Sequence, residues 1–137
     1  MDGLALSSQQ KISDSELVPN LDMGVDVTWV DVCAQDELIP GTGVAALVKG
    51  EQIALFCTRA RALYAISNYD PFSHAFVIAR GIIGDRGGVP KVASPIYKQN
   101  FDLSSGRCLD DPNVTLPVYP VRARGGRVEI GVRTEAR

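Results

Sequence analysis

Two short loops carry the residues whose types and spacing could do chemistry: Asp70-Pro71-Phe72 and Ser94-Pro95-Ile96-Tyr97, with residues 73–93 between them. A carboxylate, a hydroxyl and a phenol brought together could serve acid–base or nucleophilic catalysis. That reading lacks a base. The chain's single histidine, His74, lies outside both motifs, and serine is a poor nucleophile without an activating neighbour. No cysteine or second histidine is near His74 in sequence, so we expect it on a surface loop rather than in a ligand set. One histidine with Cys33, Cys57 and Cys108 also fails the arithmetic of a four-cysteine or two-cysteine, two-histidine zinc site. We assign no catalytic and no metal-binding residue.

The bulk composition narrows the class. At 137 residues the chain suits one domain, and 45% hydrophobic with 22% charged residues is ordinary for a soluble globular protein. A net charge of −2 gives no bias toward nucleic acid or anionic membrane, and neither is expected as a partner. The charge is uneven. Asp2, Asp14, Glu16, Asp22 and Asp26 oppose Lys11 near the start, and Arg122, Arg124, Arg127, Arg133 and Arg137 oppose Glu129 and Glu135 near the end. A solvated hairpin and tail account for the basic stretch, and a face for an acidic partner is the alternative. No apolar run reaches the ~18 residues of a membrane helix, and the opening residues lack the basic start and apolar run of a signal peptide. The expectation is a cytoplasmic chain whose three widely spaced cysteines are small buried apolar residues.

Elements that could position the two loops follow from pattern. Residues 1–25 show no sustained period and read as a flexible tail, or as a short helix docking on a partner. Residues 26–137 read as one domain. Val25, Val27, Trp29 and Asp31 share one side of a two-residue alternation. Ala45–Val48 and Ile53–Phe56 flank a four-residue loop, and Leu63–Ser67 leads into the first loop. Ser73–Arg80 suits a helical turn ending at Gly81. Ile82–Gly84 and Val89–Ser94 pair about Asp85–Gly88, and Tyr97–Leu103 continues as a strand. Val118–Ala123 and Val128–Val132 pair about Arg124–Arg127. Many short strands punctuated by glycine and proline predict an all-β fold, an antiparallel sandwich or barrel with little helix. No Gly-x-Gly-x-x-Gly or Walker-type loop supports nucleotide binding.

The strands around the loops carry a family resemblance. Ala65-Ile66-Ser67-Asn68-Tyr69-Asp70-Pro71-Phe72 resembles the entry to the first loop of a Rieske domain, and Val92–Cys108 resembles the second loop and its exit. A Rieske site takes Cys-x-His from one loop and Cys-x-x-His from the other to hold a [2Fe–2S] cluster. Here the spacing is kept, but Asp70 and Ser94 stand at the thiolate positions, and Phe72 and Tyr97 at the imidazole positions. More narrowly, Ile66–Phe72, Ala79–Gly84, Val92–Pro95 and Lys98–Phe101, with Trp29–Cys33 and Leu38–Val44, resemble the small subunits of NADH-dependent assimilatory nitrite reductases. That resemblance spans about residues 27–133.

The resemblance implies a Rieske-like fold and a cytoplasmic complex reducing nitrite to ammonium with NADH. FAD, a [4Fe–4S] cluster and sirohaem would sit in a large catalytic subunit, and no cofactor in this chain. A Rieske-type ferredoxin, or a Rieske-like binding module of another redox system, are the alternatives. Without metal, ordinary packing must join the loops. Phe72 and Tyr97 are expected to form a buried aromatic pair, with the Tyr97 hydroxyl donating to Asp70 or Ser94. Candidate partner contacts are Phe76, Arg80, Tyr119, Arg122 and Arg124, aromatic and arginine side chains of the kind that anchor interfaces.

Overall fold

The central strand is the one whose residues are apolar on both faces. In a strand, successive side chains point to opposite sides, so Glu51–Cys57 (β3) sends Ile53, Leu55 and Cys57 one way and Ala54 and Phe56 the other. All five are buried in this computed structural model, which describes residues 26–134; the expected tail, residues 1–25, lies outside them. Thr42–Val48 (β2) and Leu63–Ser67 (β4) flank β3, and Val118–Tyr119 (β10) completes an antiparallel sheet in the order β10-β4-β3-β2.

A second sheet packs on one face of the first. It is formed by Val27–Ala34 (β1), Val121–Arg124 (β11) and Arg127–Arg133 (β12), in the order β1-β12-β11. Ile53, Leu55 and Val48 meet Val121, Val128, Ile130 and Val132 to form one core. β1 and β12 join the two ends of the fold, from Val27 opposite Arg133 to Ala34 opposite Arg127, and the Thr134 N–H donates to the Asp26 carbonyl at 3.0 Å.

The other face of β3 carries the loop-bearing unit. Ile82–Arg86 (β7), Val89–Ala93 (β8) and Asn100–Asp102 (β9) form a three-stranded antiparallel sheet, and Tyr69–Asp70 (β5) pairs with Ala75–Phe76 (β6). Ala54, Phe56 and Ile66 pack there against Ile78, Val92, Phe101 and Leu103 as a second core. The all-β antiparallel fold is as expected from the strand pattern.

Several local readings are corrected. The β2–β3 loop has two residues, not four: Val48 pairs with Glu51, and Lys49 and Gly50 take φ of 52° and 84°, as a type I′ turn requires. The strand expected from the alternation at Val27 and Trp29 forms as β1. Val30, Val32 and Cys33 pack on the core, helped by an irregularity between Asp31 and Cys33, whereas Trp29 lies under the Arg122 guanidinium. Val25 is outside the described residues. Ser73–Arg80 is not one helical turn: β6 interrupts it, and only Ile78–Arg80 is helical, as a 3-10 turn ending at Gly81. The strand expected over Tyr97–Leu103 is confined to Asn100–Asp102, with Phe101 and Leu103 both buried. Cys57 and Cys108 are buried as expected, and Cys33 is half-buried. Burial pushes the Cys57 and Cys33 thiols up, away from the reactive thiolate.

Arg122, expected among the docking candidates, is inside the fold with 9% of its surface exposed. Its guanidinium lies 3.9 Å from the centre of the Trp29 ring, and its Nε–H donates to Glu129 Oε1 at 2.6 Å. Arg122→Ala is therefore expected to lower stability by about 1–2 kcal/mol through the lost cation–π contact and ion pair. The midpoint of urea unfolding measures this; an unchanged midpoint contradicts it.

Candidate functional site

The two loops leave their strands at buried polar residues. Asp70 ends β5 and Ser94 follows β8, and both are fully buried. The Ser94 hydroxyl donates to Asp70 Oδ2. The Phe72 N–H donates to Asp70 Oδ1 at 2.8 Å and the Ser73 N–H approaches the same oxygen at 3.4 Å. Three donors thus converge on one carboxyl, as burial of such a group demands, and one of them comes from the opposite loop.

The loops also share a backbone course. Each begins with the locked residue and then proline. In each, the N–H four positions on returns to the carbonyl of the locked residue: His74 to Asp70 at 2.8 Å, and Lys98 to Ser94 at 3.1 Å. Those closing residues take left-handed φ of 60° and 68°, a conformation uncommon for residues with a side chain. Two alike turns are thereby held base to base by a hydrogen bond.

Residues behind the loops fix them in place. Asn68 is buried, accepts the Ala79 N–H on Oδ1 at 2.7 Å, and ties its own N–H to the Gln52 carbonyl of β3 at 3.0 Å. Gly81 lies against β8, where an added Cβ would stand 2.3 Å from the Ala93 carbonyl oxygen. Neither was singled out as a site residue from sequence. An asparagine entering a proline turn is the signal that could have found Asn68; for Gly81 only the fold reveals the close approach.

The two aromatics part company. Phe72 is half-buried and packs on Phe101, ring centres 6.2 Å apart. Tyr97, expected to pair with it inside, instead has 60% of its surface exposed. The donor to Asp70 is Ser94, not Tyr97. His74 is exposed as expected, its Nδ1 3.0 Å from the Tyr69 hydroxyl. Of the candidate contacts, Phe76 and Arg80 are exposed beside the loops, with the Phe76 ring tilted against that of Tyr69, centres 5.1 Å apart. Tyr119 is half-buried and donates its hydroxyl to Glu51 at 2.5 Å; burial and that bond push the phenol far above its ordinary range. Arg124 is exposed at the β11–β12 turn, so the five candidates do not form one group.

A family model of the Rieske-like [2Fe–2S] domain matches residues 28–131. The small subunit of nitrite reductase (NADH) from Salmonella typhimurium is 43% identical over 103 residues, covering 74% of this chain and 95% of the relative. The chain belongs to the Rieske-like nitrite reductase small-subunit family. The solution structure of NirD from Escherichia coli superposes with a TM-score of 0.73 at 39% identity, covering 78% of this chain and 98% of that one. A nitrite reductase [NAD(P)H] large subunit from Klebsiella oxytoca is 38% identical over 103 residues, which are 75% of this chain but 11% of that protein.

The parent Rieske domain implies a [2Fe–2S] cluster, and the residues of this small-subunit chain do not fit one. The thiolate positions hold Asp70 and Ser94, whose oxygens are committed to each other; the imidazole positions hold a packed phenylalanine and an outward tyrosine. Two buried oxygens in the loops, Ser73 Oγ and Gln99 Oε1, have no hydrogen-bond partner among the described residues, but hard oxygen donors do not replace thiolates at such a cluster. Among the described residues no group of three or more His, Cys, Asp or Glu side chains could hold a metal ion, and no helix is long and apolar enough to cross a membrane.

Proposed function

We propose that this chain is the small, cofactor-free subunit of a cytoplasmic NADH-dependent nitrite reductase serving nitrite assimilation, with residues 26–137 as the working domain. FAD, a [4Fe–4S] cluster and sirohaem belong, on this reading, to the large subunit, which performs the reduction of nitrite to ammonium. The observation that carries the proposal is the exchange of ligands for a buried lock inside an intact Rieske-like frame. Such a chain can bind and position a redox partner but offers no thiolate and imidazole set through which to carry an electron.

The Klebsiella oxytoca relative supports the pairing. There a stretch like this chain is part of the same polypeptide as the rest of a large subunit. A domain that is covalently joined to its partner in one protein and separate in another is suited to the same contact in both. Phe76 and Arg80 are the contact candidates carried forward.

The test is to express the chain with and without its large subunit, purify, and follow nitrite-dependent NADH oxidation. Co-purification and a rate clearly above that of the large subunit by itself are expected. No association and equal rates would sink the proposal.

A further inference from the structure

Seven large apolar side chains are exposed among the described residues, and they divide between two places. Ile39, Val44 and Leu47 line or precede β2. Phe76, Ile82, Ile96 and Tyr97 surround the locked loops: Phe76 is paired with Tyr69 beside Asp70, Ile82 with Ala93 beside Ser94, and Ile96 and Tyr97 belong to the second loop itself. Phe76 is 52% and Ile82 75% exposed. A rimmed apolar patch of this kind marks an interaction site more often than a lone exposed residue does.

Charge distinguishes the second place. Across residues 68–84 and 93–101 the one carboxylate is the buried Asp70, and the exposed Asp110, which accepts from Asn100 at this edge, is itself paired with Arg86, while His74, Arg80 and Lys98 are exposed. In a chain of net charge −2 this end is locally basic with an aromatic and aliphatic centre. Lys98, one of those cations, and His74 occupy the left-handed turn positions, so the backbone itself sets where they stand.

We propose that the loop end is the surface that docks on the large subunit, with Tyr97 as its central anchor and Arg80 and Lys98 facing a rim of Asp and Glu on that partner. The proposal rests on the small-subunit reading above. The lock between Asp70 and Ser94 makes the surface rigid before contact, which lowers the ordering cost of binding. Tyr97 brings a large amphipathic side chain with few rotatable bonds, the type enriched where binding energy concentrates. With 60% of its surface exposed, it is accessible to a partner.

Titration of the full chain with purified large subunit, read as a dissociation constant at about 50 and 300 mM salt, tests this. Tyr97→Ala should weaken binding about 30-fold while leaving the unfolding temperature in place. Arg80→Glu with Lys98→Glu should weaken it about tenfold at low salt and flatten the salt dependence. Leu47→Asp, on β2, should bind as wild type does. Wild-type binding with Tyr97→Ala and the charge reversals within about twofold of it overturns the docking proposal but leaves the small-subunit reading standing. Loss of binding in Leu47→Asp alone moves the interface to β2 and overturns it too. A wild-type chain that does not bind overturns both.

Discussion

Asp70→Ala should destabilise the domain by about 3–5 kcal/mol, because it orphans a buried hydroxyl and partly buried backbone donors together. The carboxyl accepts the Ser94 hydroxyl and the Phe72 N–H, with the Ser73 N–H nearby, and none of its surface is exposed. A buried donor left unmet costs about 1–3 kcal/mol, and removal of the side chain also leaves a small void. In a domain of this size each kcal/mol lowers the unfolding temperature by about 4 °C. Ser94→Ala should cost less, about 1–3 kcal/mol, since the two backbone donors keep their acceptor. The double variant should cost less than the sum of the singles, which reports the coupling directly. Thermal unfolding of the four proteins measures the cycle. Strict additivity, or an Asp70→Ala chain as stable as wild type, would contradict the lock.

Gly81→Ala should cost about 3 kcal/mol, at the upper end for an added methyl in a packed interior. The new Cβ would lie 2.3 Å from the Ala93 carbonyl oxygen and 2.6 Å from the Val92 Cγ2 methyl. Backbone is in the way, so no rotamer change relieves the clash. Part of β8 must move, and Ser94 moves with the adjoining Ala93. Amide exchange at Lys98, whose N–H closes the second turn on Ser94, should therefore quicken together with that at Phe72 across the lock. Gly50→Ala makes the contrast: nothing lies within 4 Å of its Cβ, but its φ of 84° suits glycine, so the cost is about 1 kcal/mol and confined to its turn. Equal effects from both substitutions would remove the close approach as the cause.

The sequence is most legible where one local rule decides the outcome. Glycine pairs placed two hairpin turns, but the turns are the two residues Gly87-Gly88 and Gly125-Gly126 with positive φ, shorter than the expected Asp85–Gly88 and Arg124–Arg127, and the strand expected over Val118–Ala123 is broken into β10 and β11 of different sheets. The fate of Asp70 was legible in part, since aspartate before proline is a turn residue, yet its bond to Ser94 depends on β8 arriving beside β5 from 24 residues away. Phe72 and Tyr97 look alike as fillers of vacated ligand positions. What separates them is tertiary: Phe101 lies within reach of one, whereas the other stands in an exposed loop whose turn closes at Lys98. The inward face of β1 was undecided for a related reason. Val27 and Trp29 are apolar, but so are Val30 and Val32, and a long-range partner, Arg122, covers the tryptophan. Period-2 arguments cannot choose a face when both sides are apolar.

The pairing of β1 with β12 has a consequence for how the chain comes into being. β2, β3 and β4 are joined to their neighbours by short turns and can meet as soon as they are made. β1 cannot: its partner lies about 100 residues downstream, and closing so long a segment costs about 4 kcal/mol of chain entropy. A ribosome adding about 5–20 residues per second leaves that first strand waiting for about 5–20 seconds. A nascent chain that stops short of Arg127 lacks the partner of both β1 and β11, so the second sheet closes only once β12 has been made.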